Sequence, residues 1–230
     1  MPKKAYHHGD LKNALIQAAI TILAEEGVGG LSLRKAARRA GVSHAAPYAH
    51  FADKQALIAS VSTEGYRRIL ARLQAAGTPY PNAPLRRLVE GAWAYLGFAL
   101  EDPAHFRVTL SGVVAREQDY PELVQATAEG FGLLVRIVAD CQAAGILRSG
   151  RADLLAVNLW STVHGLASLL LEGQISSAIL NRYTLRHLLI QALSPYVQRK
   201  LPAGLYAAPK RHGQPGVSPG REARAGRRAS

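Results

Sequence analysis

Apolar residues recur at helical spacing along almost the whole chain, and no alternating run bounded by hairpin turns interrupts them. The pattern predicts an all-α protein. A first helix is expected from Asp10, as N-cap, to Glu26, with Leu11, Leu15, Ala19 and Ile22 on one face and Ile16, Ile20 and Leu23 widening it. Gly27 is its natural stop. Ser32 caps a second helix over 33–39, Ser43 a third over 44–51, and Asp53 a fourth that runs to about Ala75. The segment GTPYPNAP (77–84) is the clearest internal break. Beyond it, Leu85, Leu88, Val89, Ala92, Trp93, Leu96 and Leu100 form an apolar stripe. Pro103 and Pro121 each permit a helix start, and AAGILRSGRAD (143–153) precedes two long apolar helices expected over 153–172 and 182–198. From Leu201 onward Pro, Gly, Ala and Arg dominate and periodicity is lost, which predicts disorder.

Charge divides the chain in the same places. Net charge is +12, and it sits at the two ends: residues 1–55 carry eight Lys/Arg against four Asp/Glu, and residues 199–230 carry eight against one. The middle, 56–198, is nearly neutral, with twelve against eleven. Three units follow: 1–55, 56–198 and a basic tail, 199–230. The basic ends point to a polyanionic partner, which the segment 33–51 narrows to double-stranded DNA. A single cysteine, Cys141, excludes an internal disulfide framework and fits a reducing, cytoplasmic compartment. In RIVADCQAAG it reads as a small buried residue. The first residues lack the apolar core of a signal peptide. The uncharged run 154–171 is barely long enough to span a bilayer and contains several polar residues, so a buried helix is expected and no membrane association.

Helix 33–39, the turn Ala40-Gly41-Val42 and the short element 44–51 have the proportions of a helix-turn-helix. A short second helix suffices because only its first turns meet base edges in the major groove. On that geometry Ser43, His44, Ala45 and Ala46 lead into the groove, although the two alanines offer no hydrogen bonds. Tyr48 and His50 are placed to donate to phosphate, Lys54 adds charge at the next helix start, and Arg34 and Lys35 reach the backbone nearby. Pro47 is awkward, because its missing N–H forfeits the first intrahelical bond, to Ser43. It either bends the reading turn to a purpose or is a tolerated kink.

The segment LSLRKAARRAGVSHAAPYAHFADKQALIASV resembles the DNA-binding segment of the TetR/AcrR family of transcriptional regulators. The likeness rests on Ser32, Ala37, Gly41-Val42-Ser43, Tyr48, His50-Phe51, Lys54 and Leu57 at fixed spacing, within about residues 6–60. Trp160-x-x-x-His164-Gly165 is similar to the signature of a WHG-type C-terminal domain, as are YHHGDLK and PYAHFADK. The resemblance implies an N-terminal three-helix head that reads DNA, followed by a larger helical domain that binds a small molecule and dimerises. It implies DNA contacts from Ser32, Arg34, Lys35, Ser43, His44, Ala45, Tyr48, His50 and Lys54. Ala49 departs from the family, where a polar residue often precedes the His-Phe pair.

A ligand-responsive repressor, homodimeric on a palindromic operator and released by a small-molecule effector, is the reading this supports. A constitutive or architectural DNA-binding dimer without a ligand is the alternative. Trp93, Phe98, Phe106, Phe131, Trp160 and His164 are the candidates to line an effector site, with the hydrophobic core as the competing place for them. Trp160 and His164 lie one turn apart on one helix face, and Gly165 lets another helix approach closely. No nucleophile–base pair, phosphate loop or cofactor motif emerges, so no enzyme and no cofactor is expected. His7-His8 lacks usable ligand spacing, so no metal is expected either. The N-terminal KKAYHHGD reads as a solvated start or as an arm touching DNA, and the tail as a solvated charge run that adds nonspecific affinity.

Overall fold

The computed structural model describes residues 8–199 and 201–207, which excludes the N-terminal arm through His7 and the tail beyond Ala207. Among the described residues the chain is helical throughout, apart from one isolated antiparallel bridge between Leu147 and Val197. The helices are α1 (His8–Gly30), α2 (Leu33–Arg39), α3 (Lys54–Gly77), α4 (Pro84–Glu101), α5 (Pro103–Leu110), α6 (Pro121–Ala143), α7 (Ala152–Leu171), α8 (Ser177–Arg182) and α9 (Leu185–Leu193). Helix α1 therefore starts before Asp10, and its regular geometry breaks at Gly27, whose φ of 69° is left-handed. Side-chain caps form where short polar residues precede helices: Ser32 Oγ accepts from Lys35 N at 3.1 Å, and Asp53 Oδ1 from Ala56 N at 2.8 Å.

The helices enclose two hydrophobic cores. The first is built from Leu15, Ile22, Leu33, Phe51 and Leu57 of the N-terminal region, and it is closed by Val108, Val114 and Leu123 from beyond α4. The second gathers α4, α6, α7 and α9 around Leu96, Phe98, Val138, Leu159 and Leu189. Helix α3 serves both, with Leu57 and Val61 in the first core and Ile69 in the second. The expected division at 55/56 falls inside its first turn, because the Asp53 cap starts one continuous 24-residue helix. At Gly65 this helix lies so close to α5 that an added Cβ would stand 1.8 Å from Thr109 Oγ1. Nearby, the buried His105 of α5 donates Nε2–H to the Val61 carbonyl at 3.0 Å.

Near the C-terminus two expectations are corrected. The helix anticipated over 182–198 is α9 alone: Thr184 caps its start, and Pro195 turns its end into a 3-10 helix, Ser194–Tyr196. The tail expected from 199 does not leave the fold at once, because Leu205 is 1 % exposed. Its carbonyl accepts from Arg186 Nε at 2.7 Å. The Arg186 guanidinium also grips Glu90 with both terminal nitrogens, at 2.6 and 3.1 Å, and lies 5.5 Å from the Trp93 ring centre. Helix α7 is long and apolar enough to cross a membrane, with a mean hydropathy of 1.6. It packs between α4, α6 and α9, however, and buries Leu155, Leu159 and Val163 there.

Removing one partner of a buried ion pair strands the other charge. Glu90→Ala should therefore cost about 3–5 kcal/mol in urea unfolding. Burial holds the His105 imidazole below its ordinary 6.5, an effect Arg68 reinforces and the Val61 bond opposes, and burial lowers His164 as well. Both pKa values are lower folded than unfolded, so the unfolded chain takes up protons first as pH falls. Stability should decline below about pH 6.5. A urea midpoint that stays level between pH 7.5 and 5 would contradict this.

Candidate nucleic-acid interface and cavity

Helix α2 ends in a left-handed glycine. Gly41 has φ 70°, and the paired bonds Gly41 N to Arg38 O (3.2 Å) and Val42 N to Ala37 O (3.0 Å) reverse the chain. The element that follows is not the α-helix expected over 44–51 but a single 3-10 turn, Ala46–Ala49. The cause is Pro47, which has no N–H for Ser43. Ala46 N takes the Ser43 carbonyl instead at 3.0 Å, and Tyr48 N reaches back only to Ala45 at 3.2 Å. Ser43 accordingly caps through its carbonyl, not its side chain. Phe51, 2 % exposed, then plugs the first core and fixes the turn against it.

Ser32, Arg34, Ser43, His44, Ala45 and Tyr48 lie on the exposed surface of this unit, and Lys54 at the start of α3 is half-buried beside them. One predicted residue, Lys35, is otherwise engaged. The Lys35 ammonium rests on the Glu26 carboxylate, and its neighbour Arg39 is held by Glu25 through two bonds at 2.6 and 2.8 Å. These pairs are solvated, so phosphate can compete for both cations. His50 is half-buried with its Nε2 enclosed and without a partner, which leaves Nδ1 as the nitrogen able to reach a ligand. Arg38, exposed on the last turn of α2, is a further basic residue that the motif reading passed over.

Between α3, α4, α6 and α7 lies a cavity of about 240 Å³. Of the six predicted ligand residues, Phe131 and Trp160 line it. Trp93, Phe98 and Phe106 instead fill the second core, where close packing leaves them no open face. His164 stands behind the wall. Trp160 Nε1 donates to the Tyr95 hydroxyl at 3.1 Å, and that hydroxyl lies 2.9 Å from His164 Nδ1. Indole only donates, so the Tyr95 oxygen accepts from Trp160, while the bond between Tyr95 and His164 takes its direction from the His164 tautomer. The His164 ring stacks on Phe106 of α5, centres 5.6 Å apart. Burial raises the Tyr95 phenol far above its usual range, so it stays protonated. The same cause pushes the Cys141 thiol up to about 12, which leaves it inert in the core. Sequence reasoning missed the cavity's tyrosines, Tyr66 and Tyr95. Their only signal was a hydroxyl on an otherwise apolar stripe.

Two family models match. "Bacterial regulatory proteins, tetR family" covers residues 15–61, and "Tetracyclin repressor-like, C-terminal domain" covers 88–193. No curated protein matches. Among solved structures, a Rhodococcus sp. RHA1 protein described as of unknown function is 34 % identical, with a TM-score of 0.71 over 85 % of this chain and 100 % of its own. A bacterial regulatory protein of the tetR family from Rhodococcus RHA1 shares 22 % identity over 80 % of this chain and 92 % of its own, with a TM-score of 0.60. The TetR family transcriptional regulator PfmR from Thermus thermophilus shares 19 % over 67 % and 84 %, with a TM-score of 0.58. With a helix-turn-helix head and a larger helical body that match these two models, this chain belongs to the TetR family of DNA-binding transcriptional regulators.

Proposed function

We propose that the protein is a homodimeric repressor that reads a palindromic operator and is released from it by a small molecule in the α3–α4–α6–α7 cavity. The observation that carries this reading is the position of α5. One face of α5 closes the head: Val108 packs in the first core and His105 bonds to Val61. On its other side Phe106 meets His164 and Tyr95, and Tyr95 lines the cavity. A ligand that favours one placement of Tyr95 therefore also favours one placement of α5 and the head, which is the differential affinity a switch requires. A cavity of this size argues against the ligand-free architectural reading.

In the DNA-bound state Ser43, His44 and Ala45 face base edges, while Ser32, Arg34, Tyr48, His50 and Lys54 hold phosphates, with Lys35 joining after it leaves Glu26. The dimer seam is the outward face of α7. Leu154, Val157, Ser161, Gly165 and Leu169 form an uncharged strip there, and an added Cβ at Gly165 meets nothing within 4 Å in its own chain. A second copy would cover this strip and set the two heads about 34–36 Å apart, one turn of DNA.

The test is binding of the full chain to DNA upstream of its own gene against an unrelated duplex, across a salt series. His44→Ala should narrow the discrimination between them by about 1–3 kcal/mol. Lys54→Ala should weaken both complexes alike and reduce the salt slope by about one. Equal affinity for the two duplexes in the unaltered protein would sink the regulator reading. Val157→Glu should shift the sedimenting species from dimer to monomer and weaken operator binding with it. A dimer that survives this change places the seam elsewhere.

A further inference from the structure

The cavity's lining states what it accepts. Leu73, Leu88, Leu134, Ile137, Leu159 and Val163 supply an apolar wall. Most of its polar side chains are already engaged. The Arg87 guanidinium is held by Asp140 at 2.8 Å, Thr127 Oγ1 donates to the Leu123 carbonyl at 2.5 Å, and the Tyr95 hydroxyl is used by Trp160 and His164. Among the described residues the Tyr66 hydroxyl has no partner. Burial, aided by nearby Glu117, pushes its phenol up to about 12, so at neutral pH it is a donor. An ionic ligand would lose its hydration to a wall that is otherwise apolar, and an anion would first have to draw Arg87 away from Asp140.

Two glycines argue that this space is kept open. Gly91 in α4 and Gly130 in α6 both line the cavity, and an added Cβ at either meets nothing within 4 Å. Glycine inside a helix is unfavourable relative to alanine. At Gly65 the crowding by Thr109 accounts for the residue, but no neighbour accounts for these two. What a side chain there would fill is the cavity. An apolar cavity of about 150 Å³ holds benzene, so about 240 Å³ has room for roughly ten non-hydrogen atoms.

Building on the effector reading above, we propose that the cavity takes a neutral, largely apolar ligand of about ten non-hydrogen atoms with one hydrogen-bond acceptor, which the Tyr66 hydroxyl meets, and that Gly91 and Gly130 preserve its volume. Tyr66 supplies the specificity for the acceptor, and the two glycines supply the capacity.

The test is calorimetric titration of the full chain, without DNA, with 1-indanone, indane, 3-phenylpropanoate and 3-phenylpropylammonium. The first should bind about two- to tenfold more tightly than indane, the worth of one hydrogen bond. Each ion should bind at least ~10-fold more weakly than indane, the factor that follows from about 1.4 kcal/mol of uncompensated desolvation. Tyr66→Phe should abolish the advantage of 1-indanone and leave indane unchanged. Gly91→Ala and Gly130→Ala should raise the thermal midpoint while weakening 1-indanone. An ion that binds as tightly as 1-indanone, no heat with any of the four, or a lowered midpoint in both alanine variants overturns the proposal. DNA release is followed separately: 1-indanone that binds but leaves the operator complex intact removes the effector reading and leaves the ligand assignment standing.

Discussion

Helix α3 belongs to two hydrophobic cores at once, and that shared membership governs how the rest of the molecule is arranged. Its first turns carry Leu57 and Val61 into the head, and its later turns carry Ile69 into the body. A continuous helix is stiff over this length, so the head cannot swing independently of α3. Helix α5 then locks the same junction from the side, through the close approach at Gly65 and the bond from His105 to Val61. Head orientation is thus decided where α3 and α5 meet, not in a flexible linker. In the proposed switch, a ligand need only bias that junction.

The body stands under opposing demands. Close packing favours filling every gap, yet a void lies between α3, α4, α6 and α7. Stability is recovered beside it. The Glu90–Arg186 pair ties α4 to α9 and clasps the segment around Leu205, and Trp93 packs over the guanidinium. The polar cluster of Tyr95, Trp160 and His164 joins three polar groups with two hydrogen bonds and stiffens the wall it forms. Rigidity on one side of the cavity and unfilled volume on the other is an arrangement suited to sensing shape.

The reading turn shows how little structure is needed to present side chains. Proline at its second position removes the α-type bond, and the turn tightens to the 3-10 pattern. What remains is held from below by Phe51, with the reversal at Gly41 before it and the Asp53 cap after it. Tyr48 is left 55 % exposed on its outer side.

Most of this was legible in sequence because its causes are local. Helix starts at Pro84, Pro103 and Pro121, the caps at Ser32 and Asp53, and the turn at Gly41 are set within four residues by missing donors, side-chain acceptors or a positive φ. The family resemblance is local too, carried by the fixed spacing of the head. The cavity was not legible, because its wall joins residues as distant as Tyr66 and Val163. An aromatic in an apolar stripe looks the same whether it packs in a core, as Phe98 does, or borders a void, as Phe131 does. The buried role of Arg186 was equally hidden, since only folding brings Glu90 and the Leu205 carbonyl to it. Local chemistry determined the elements and the head. Only long-range packing decided which apolar faces meet and where they leave room.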